Sequence, residues 1–155
     1  MRNTLTKGVT TNIRDYGRRD RDHCLALMLG NTPDFFAPCE VGDFEEFLDD
    51  LSHSYYVVEV AEAVVACGGW SVSSDGSASL CWGMVERSCH RKGIGSYLLR
   101  ERLRLIREDD TASSVALMTS QHSRPFFERY GFAVVGVEEG GFAPGLDAVT
   151  MRLEI

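Results

Sequence analysis

Between Met84 and Leu99 the chain reads Met84-Val85-Glu86-Arg87-Ser88-Cys89-His90-Arg91-Lys92-Gly93-Ile94-Gly95-Ser96-Tyr97-Leu98-Leu99, and no other stretch limits the fold as much. A β-rich run ends, a loop with two glycines follows, and a helical repeat begins that carries Leu98, Leu99, Leu103 and Ile106. Free N–H groups at a helix start, at the positive end of its dipole, favour an anion. Gly93 and Gly95 have no side chain, so the backbone there can lie against a phosphate, and Arg91 and Lys92 add charge. A plain strand-to-helix turn is the simpler account of two glycines at this spacing. Two familiar phosphate loops are excluded. A dinucleotide-binding fingerprint needs Gly or Ala where Leu98 stands, and G-x-x-x-x-G-K-[ST] occurs nowhere.

Charge singles out the same stretch. From Glu86 to Arg107 there are seven Lys or Arg against two Glu, a local +5 in a chain of net −7, so the remainder carries −12. A solvated helix face would explain the cluster, and so would a site for a small, highly charged anion. The acidic balance of the whole argues against nucleic-acid or acidic-membrane partners. At 155 residues, 44% apolar and 25% charged, the chain suits one globular domain. Cys24, Cys39, Cys67, Cys81 and Cys89 form no C-x-x-C pair, and His23, His53, His90 and His122 form no H-x-x-x-H pair. Reduced, mostly buried thiols and no metal site are therefore expected. Met1 to Gly8 has no apolar stretch like a signal peptide's, which predicts a cytoplasmic protein.

The pattern divides the chain into a flexible tail over 1–8 and a single domain over 9–155. Val9 to Tyr16 reads as a strand and Arg18 to Leu29 as a helix, stopped by Gly30-Asn31-Thr32-Pro33. After a loop with Phe35 and Phe36, Asp43 is expected to cap a helix, with Glu46 completing a capping box before Phe44, Phe47, Leu48 and Leu51. Tyr55 to Val60, Ala63 to Val72 and Ala78 to Val85 form a meander, with a primed turn expected at Asp75-Gly76. A helix from about Gly95 to Glu108 follows. Ser113 to Thr119 is the next strand, Ser123 to Tyr130 a short helix, and Phe132 to Val137 and Val149 to Ile155 close the order β-α-α-β-β-β-α-β-α-β-β. That is an α/β architecture with a mixed sheet.

Two landmarks resemble the GNAT superfamily of N-acetyltransferases. His90-Arg91-Lys92-Gly93-Ile94-Gly95 falls on [Q/R]-x-x-G-x-[G/A], and Phe126-Phe127-Glu128-Arg129-Tyr130-Gly131-Phe132 is similar to F-Y-E-[K/R]-x-G-F. The resemblance runs from about Thr10 to the end. It implies a mixed, mostly antiparallel sheet of about seven strands with about four helices. It also implies acetyl-CoA as co-substrate, no metal, an amine acceptor and, as in many members, a homodimer. Carried over by position, Arg91, Lys92, Gly93, Ile94, Gly95 and Ser96 would hold the pyrophosphate through backbone amides. Met84 and Val85 would pair with the pantetheine arm, and the N–H of Gly83 or Met84 would polarise the acetyl carbonyl. His90, Ser120, Ser123, Phe126 and Phe127 complete the implied cofactor contacts, and Phe35, Phe36 and Glu40 those of the acceptor.

Three positions depart from the family pattern. His90 replaces Gln or Arg, which a loop working through backbone amides tolerates. Phe127 stands where a tyrosine often protonates the departing thiolate, and Ser79 where some members carry a glutamate base. Glu40, Cys81, His122 and Ser123 are the remaining candidates for moving the amine's proton, each with a plainer reading as solvated, core, surface or cap. The expectation is direct transfer to a primary amine with both substrates bound. A non-catalytic acetyl-CoA sensor on the same fold is the alternative.

Overall fold

The β-rich runs of the sequence pair into one sheet because their alternate residues bury on both faces and helices cover each side. The computed structural model describes residues 2–6 and 9–155. The elements are β1 (Arg2–Thr6), β2 (Val9–Asp15), a 3-10 turn (Arg18–Asp20), α1 (Arg21–Gly30), α2 (Glu40–Asp49), β3 (Ser54–Val60), β4 (Ala63–Val72) and β5 (Ser77–Val85). A second 3-10 turn (Arg87–Cys89), α3 (Ile94–Asp109), β6 (Ser114–Thr119), α4 (Arg124–Glu128), β7 (Ala133–Ala143) and β8 (Leu146–Glu154) follow. The strands lie in the order β1-β2-β3-β4-β5-β6-β8-β7. Every neighbouring pair is antiparallel except β5–β6, which is parallel.

On one face α1 and α2 bury Cys24, Leu27, Met28, Phe44 and Leu48 against Tyr55, Val57, Cys67 and Met84. On the other, Leu99, Leu103 and Ile106 of α3 pack on Ala78, Leu80, Val115 and Leu117, while Ile94, Tyr97 and Leu98 cover Val58, Val65 and Ala66. Each large side chain fully buried in this way stabilises by about 1.5–3 kcal/mol. Both helical layers are thus tied to β4 and β5, the strands that position the site.

The expected mixed, mostly antiparallel α/β sheet with four helices is present, its seven strands in the expected order. An eighth strand is added: Arg2–Thr6, read from sequence as tail, pairs antiparallel with β2. Met1, Lys7 and Gly8 lie outside the described residues. α2 begins at Glu40 rather than beside Asp43, so Asp43 stands within the first turn and the expected capping box is not formed. Leu51 falls beyond the helix and is exposed. Of the two hairpin turns, the primed one is Ala61-Glu62, with φ of 51° and 67°. At Asp75-Gly76 only Gly76 is left-handed, at φ 84°, and the N–H of Gly76 donates to the Ser73 carbonyl as in a type I turn followed by a bulge. The stretch Glu138 to Asp147, read as a loop, continues β7 and β8. The ladder breaks between Glu138 and Ala143, and the Asp147 carboxylate accepts the Gly140 N–H across the break at 2.9 Å.

Candidate functional site

A cleft of about 880 Å³ opens where β5 and β6 part. The two strands share a ladder only over Ser77–Ser79 and Ser114–Ala116, although β5 runs on to Val85 and β6 to Thr119. Beyond that ladder the backbone edges of both strands face the gap. β5 bends away because of a bulge. Its register against β4 slips between Cys81 and Met84, and Trp82 takes a left-handed φ of 45°. Tyr55 fixes the bulge from β3, its buried hydroxyl donating to the Trp82 carbonyl at 2.7 Å. The Trp82 ring leans on Phe44, 5.1 Å between centroids.

At the far end of β5 the chain turns into α3. Gly93, the N-cap, has φ 86°, a conformation that strains any residue with a Cβ. A Cβ built there would meet nothing within 4 Å, so the space before the helix start is open. The first-turn N–H groups of Ile94, Gly95 and Ser96 have no intrahelical acceptor by helix geometry. Arg91 and Arg129 stand at this end of the cleft, the guanidinium of Arg129 5.7 Å from the Phe126 ring centre. This donor set fits a pyrophosphate.

The residues expected to matter fall into three groups. Gly83, Met84, Val85, His90, Arg91, Gly93, Gly95 and Ser96 line the cleft, as do Ser120, Ser123, Phe126 and Phe127. Phe35, Phe36 and Glu40 line it from the α1–α2 side. Lys92 and Ile94 do not: Lys92 is exposed, and the Ile94 side chain is buried in the core, leaving only its backbone toward the helix start. His90 is bound into the fold, its Nε2 lying 2.9 Å from the Val85 carbonyl, which also accepts the Asn31 amide at 2.9 Å. The Val85 carbonyl is thereby occupied by side chains. Phe35 sits edge-on to His90, 5.3 Å between centroids, with the Arg87 guanidinium 5.6 Å from its ring centre and Arg87 paired with Asp34.

Among the proton-transfer candidates, Glu40 is half-buried, its Oε2 accepting the Ala37 N–H at 2.7 Å. Burial holds its carboxyl above the usual range, against the lowering effect of that bond. Burial also pushes the Cys81 thiol up, which leaves it protonated and unfit as a base. Ser123 is the N-cap residue of α4, and His122 is exposed beside Phe35, outside the cleft lining. Tyr130 packs against the core, with its ring 5.3 Å from that of Phe126.

Sequence reasoning missed Arg102, Trp82 and Asn31. Arg102 was legible as one more charge of the basic cluster, yet it follows Leu98 and Leu99 at i+4 and i+3. That spacing puts it on the apolar face of α3. Among the described residues no group of three or more His, Cys, Asp or Glu is arranged to hold a metal, and no helix is long and apolar enough to cross a membrane.

No curated protein sequence matches the chain. Among solved structures it is similar to the ribosomal-protein-S18-alanine N-acetyltransferase of Escherichia coli, with 16% identity, a TM-score of 0.78, and 94% of each chain covered. It is also similar to Ard1 of Thermoplasma volcanium, with 22% identity, a TM-score of 0.76, and 94% of this chain and 97% of that one covered. An aminoglycoside 6′-N-acetyltransferase complexed with coenzyme A matches at 14% identity and TM-score 0.75, over 92% of this chain and 96% of that one. At such identities these likenesses speak for the fold. Residues 35–155, which hold the bulge, the glycine loop and α4, match the family model described as acetyltransferase (GNAT) domain. The chain therefore belongs to the GNAT acetyltransferases, enzymes that take their acyl group from acetyl-CoA.

Proposed function

We propose that this protein transfers the acetyl group directly to a primary amine while both substrates occupy the cleft. The observation that carries this reading is the parting of β5 from β6 at a bulge, in line with the open helix start at Gly93. Bound acetyl-CoA supplies an activated acyl thioester. The amides from Arg91 to Ser96 would hold its pyrophosphate, and the free edges of β5 and β6 would align its arm as an added strand does. Met84 is turned to its ladder partner Cys67 on β4, in phase with the Glu86 N–H that donates to the Val65 carbonyl, so Val85 presents the main chain on the gap side and its carbonyl would have to exchange its bond from Asn31 or His90. The N–H of Gly83, beside the bulge, is the donor for the thioester carbonyl, since that of Met84 is directed to β4. Such a preorganised donor contributes about 3–4 kcal/mol in a transition state.

The amine must also lose a proton. For a lysine-like amine at neutral pH that costs about 4.6 kcal/mol. Glu40 is placed to attract a cationic amine into the cleft, and its raised pKa suits a group that accepts a proton through water. Phe35, Phe36 and Phe142 give the same end an apolar lining, which suits an amine carried on an apolar body, whether small molecule, peptide or protein. The cytoplasm is the compartment proposed for the reaction, in keeping with five cysteines that are all free thiols. A homodimer is supported by edge strand β7, which exposes Val135 and Val137. A monomeric mass in sedimentation at tens of micromolar would count against it.

One observation favours a second reading. Phe127 lines the cleft without a hydroxyl, so the sensor alternative has no familiar acid to explain away. Calorimetric titration with acetyl-CoA, followed by thiol release over a panel of amines, separates the two. Binding with turnover supports the transferase, and binding without turnover on any amine supports the sensor. Gly93→Val forces a β-branched residue to φ 86° and fills the space before α3, so acetyl-CoA binding should fall by about a hundredfold or more. Unchanged affinity in a folded variant would remove the loop from the site.

A further inference from the structure

Arg102 is a cation buried without an anion. It projects from α3, is only 4% exposed, and lines the cleft floor. Its Nη1 makes one long bond, 3.4 Å to the Gly69 carbonyl, and its Nε has no partner. Elsewhere among the described residues the half-buried arginines are matched: Arg14 pairs with Asp20 and Glu59, Arg21 with Asp49 and Glu45, and Arg104 with Glu101 and Glu108. Among the described residues no carboxylate lies within ion-pair distance of Arg102. The titratable groups facing it are Cys81, Tyr55 and Cys67, and burial pushes the Cys81 thiol and the Tyr55 phenol upward, away from ionisation.

The fold makes room for this charge. A Cβ on Gly83 would fall 2.9 Å from Nη2, and one on Gly68 3.1 Å from Cζ. Gly83 belongs to the bulge itself and Gly68 faces it across the ladder. The guanidinium therefore lies against the backbone whose N–H is the candidate donor to the thioester. A buried charge left alone opposes folding, and a hydrophobic residue on this face of α3 would relieve that cost.

We propose that Arg102 is a catalytic residue of acetyl transfer, its guanidinium meeting the negative charge that develops on the thioester as the carbon–sulfur bond breaks. In that step the amine nitrogen bonds to the carbonyl carbon, the carbon–sulfur pair stays on sulfur, and the amine's proton passes to water. The products are an amide and a thiolate. With Phe127 in place of a hydroxyl, sulfur leaves unprotonated, and a fixed cation stabilises it without surrendering a proton. The inference rests on the acetyl-transfer reading above and adds the residue that handles the leaving group.

The test is calorimetric titration of coenzyme A and desulfo-coenzyme A, between about pH 7 and about pH 10, on wild type, Arg102→Met and Arg102→Lys. In wild type, coenzyme A should gain affinity relative to the desulfo analogue by about tenfold or more across that range, because its thiolate meets the cation. Arg102→Lys should keep only part of the gain, because burial without an anion discharges an ammonium within this range whereas a guanidinium stays charged. Arg102→Met should lose it, keep its affinity for the desulfo analogue within about twofold, and melt at a higher temperature than wild type. The same pH dependence in wild type and Arg102→Met overturns the proposal. So does a methionine variant that melts lower and binds the desulfo analogue more weakly, which marks a structural role. An unchanged coenzyme A profile with weaker use of carboxylate-bearing amines makes Arg102 an acceptor anchor and also overturns it. If wild type binds neither form of coenzyme A, the transferase reading falls and takes this proposal with it, a result distinct from all of these.

Discussion

Two places in the molecule hold a residue other than glycine in the left-handed region of a turn or bulge within the β3–β4–β5 meander. Trp82 does so in β5 at φ 45°, and Ala61 and Glu62 do so at the tip of the β3–β4 hairpin at 51° and 67°. The backbone cost is of one kind, roughly 1–2 kcal/mol per residue. The surroundings differ. Trp82 is clamped by the Tyr55 hydroxyl and by the rings of Phe44 and Phe47, and it lines the cleft. Ala61 and Glu62 are exposed, and their conformation follows from the primed turn that a two-residue hairpin favours. Strain at the bulge is held in place by its neighbours, and Gly83 beside it lines the cleft. Strain at the hairpin tip does no comparable work and is open to removal.

Breaking the clamp should give the largest effect. Tyr55→Phe removes the donor to the Trp82 carbonyl and leaves that carbonyl without its buried partner, for a loss of about 1–3 kcal/mol in denaturant unfolding. With the bulge free to relax toward a regular ladder, the donor beside it drifts. Misplacement of this kind lowers kcat by about tenfold or more while KM for acetyl-CoA holds. An unaltered kcat in Tyr55→Phe would mean that the bulge is fixed by the β4 ladder alone.

The hairpin tip should respond in the opposite sense. Ala61→Asn together with Glu62→Gly supplies the residues that a primed turn favours, and stability should rise by about 1–2 kcal/mol. Both positions are exposed, and neither is among the residues lining the cleft, so turnover should stay at the wild-type rate. A gain in melting temperature accompanied by a fall in turnover would show that the tip communicates with the bulge along β3 and β4, and the contrast between the two strained places would fail.

The same contrast explains what could be read from the sequence. The loop from His90 to Gly95 was legible because the work proposed for it belongs to backbone, and glycine at a fixed spacing announces backbone exposure directly. The end of β5 at Val85 was legible for the same reason: the turn chemistry begins at the next residue. The bulge was legible only as a hint, because Gly83 inside a strand run is a residue that often marks one, but it does not fix where the register slips. That slip is a property of the pairing with β4 and of Tyr55, which is distant in the chain. The primed turn went to Asp75-Gly76 by residue preference, but loop length decided it at Ala61-Glu62, where only two residues join the strands. Likewise α2 starts at Glu40 after Cys39, a residue that is no helix signal, so the nearer Asp43 looked like the start. Arg102 was hidden by its company. In a cluster of seven basic residues its charge invited a solvated reading, and only its spacing from Leu98 and Leu99 pointed inward.

The smallest effect is expected on the wall opposite the bulge. Phe127 lies on α4, half-buried, with its ring 5.0 Å from Phe126 and 5.8 Å from Phe132. Phe127→Tyr keeps the ring and adds a hydroxyl at its edge. The ring already lines the cleft, so the added oxygen can reach solvent or the bound arm and need not be buried unpaired. Where a departing thiolate depends on a general acid, supplying one changes the rate by about a hundredfold or more. Here an ordinary thiol with a pKa of about 8.5 is a tolerable leaving group on its own, and the cation of Arg102 lies on the same cleft floor. The hydroxyl should therefore leave turnover unchanged or raise it about twofold to threefold, with acetyl-CoA affinity unaltered. Combined with Arg102→Met, it should matter more, because the acid would then replace the missing cation. Rescue of Arg102→Met by Phe127→Tyr, measured as thiol release, would show the two walls serving one leaving group. If Phe127→Tyr abolishes acetyl-CoA binding instead, the ring belongs to the dry packing of α4 on Phe132, and α4 contributes shape alone to the cleft.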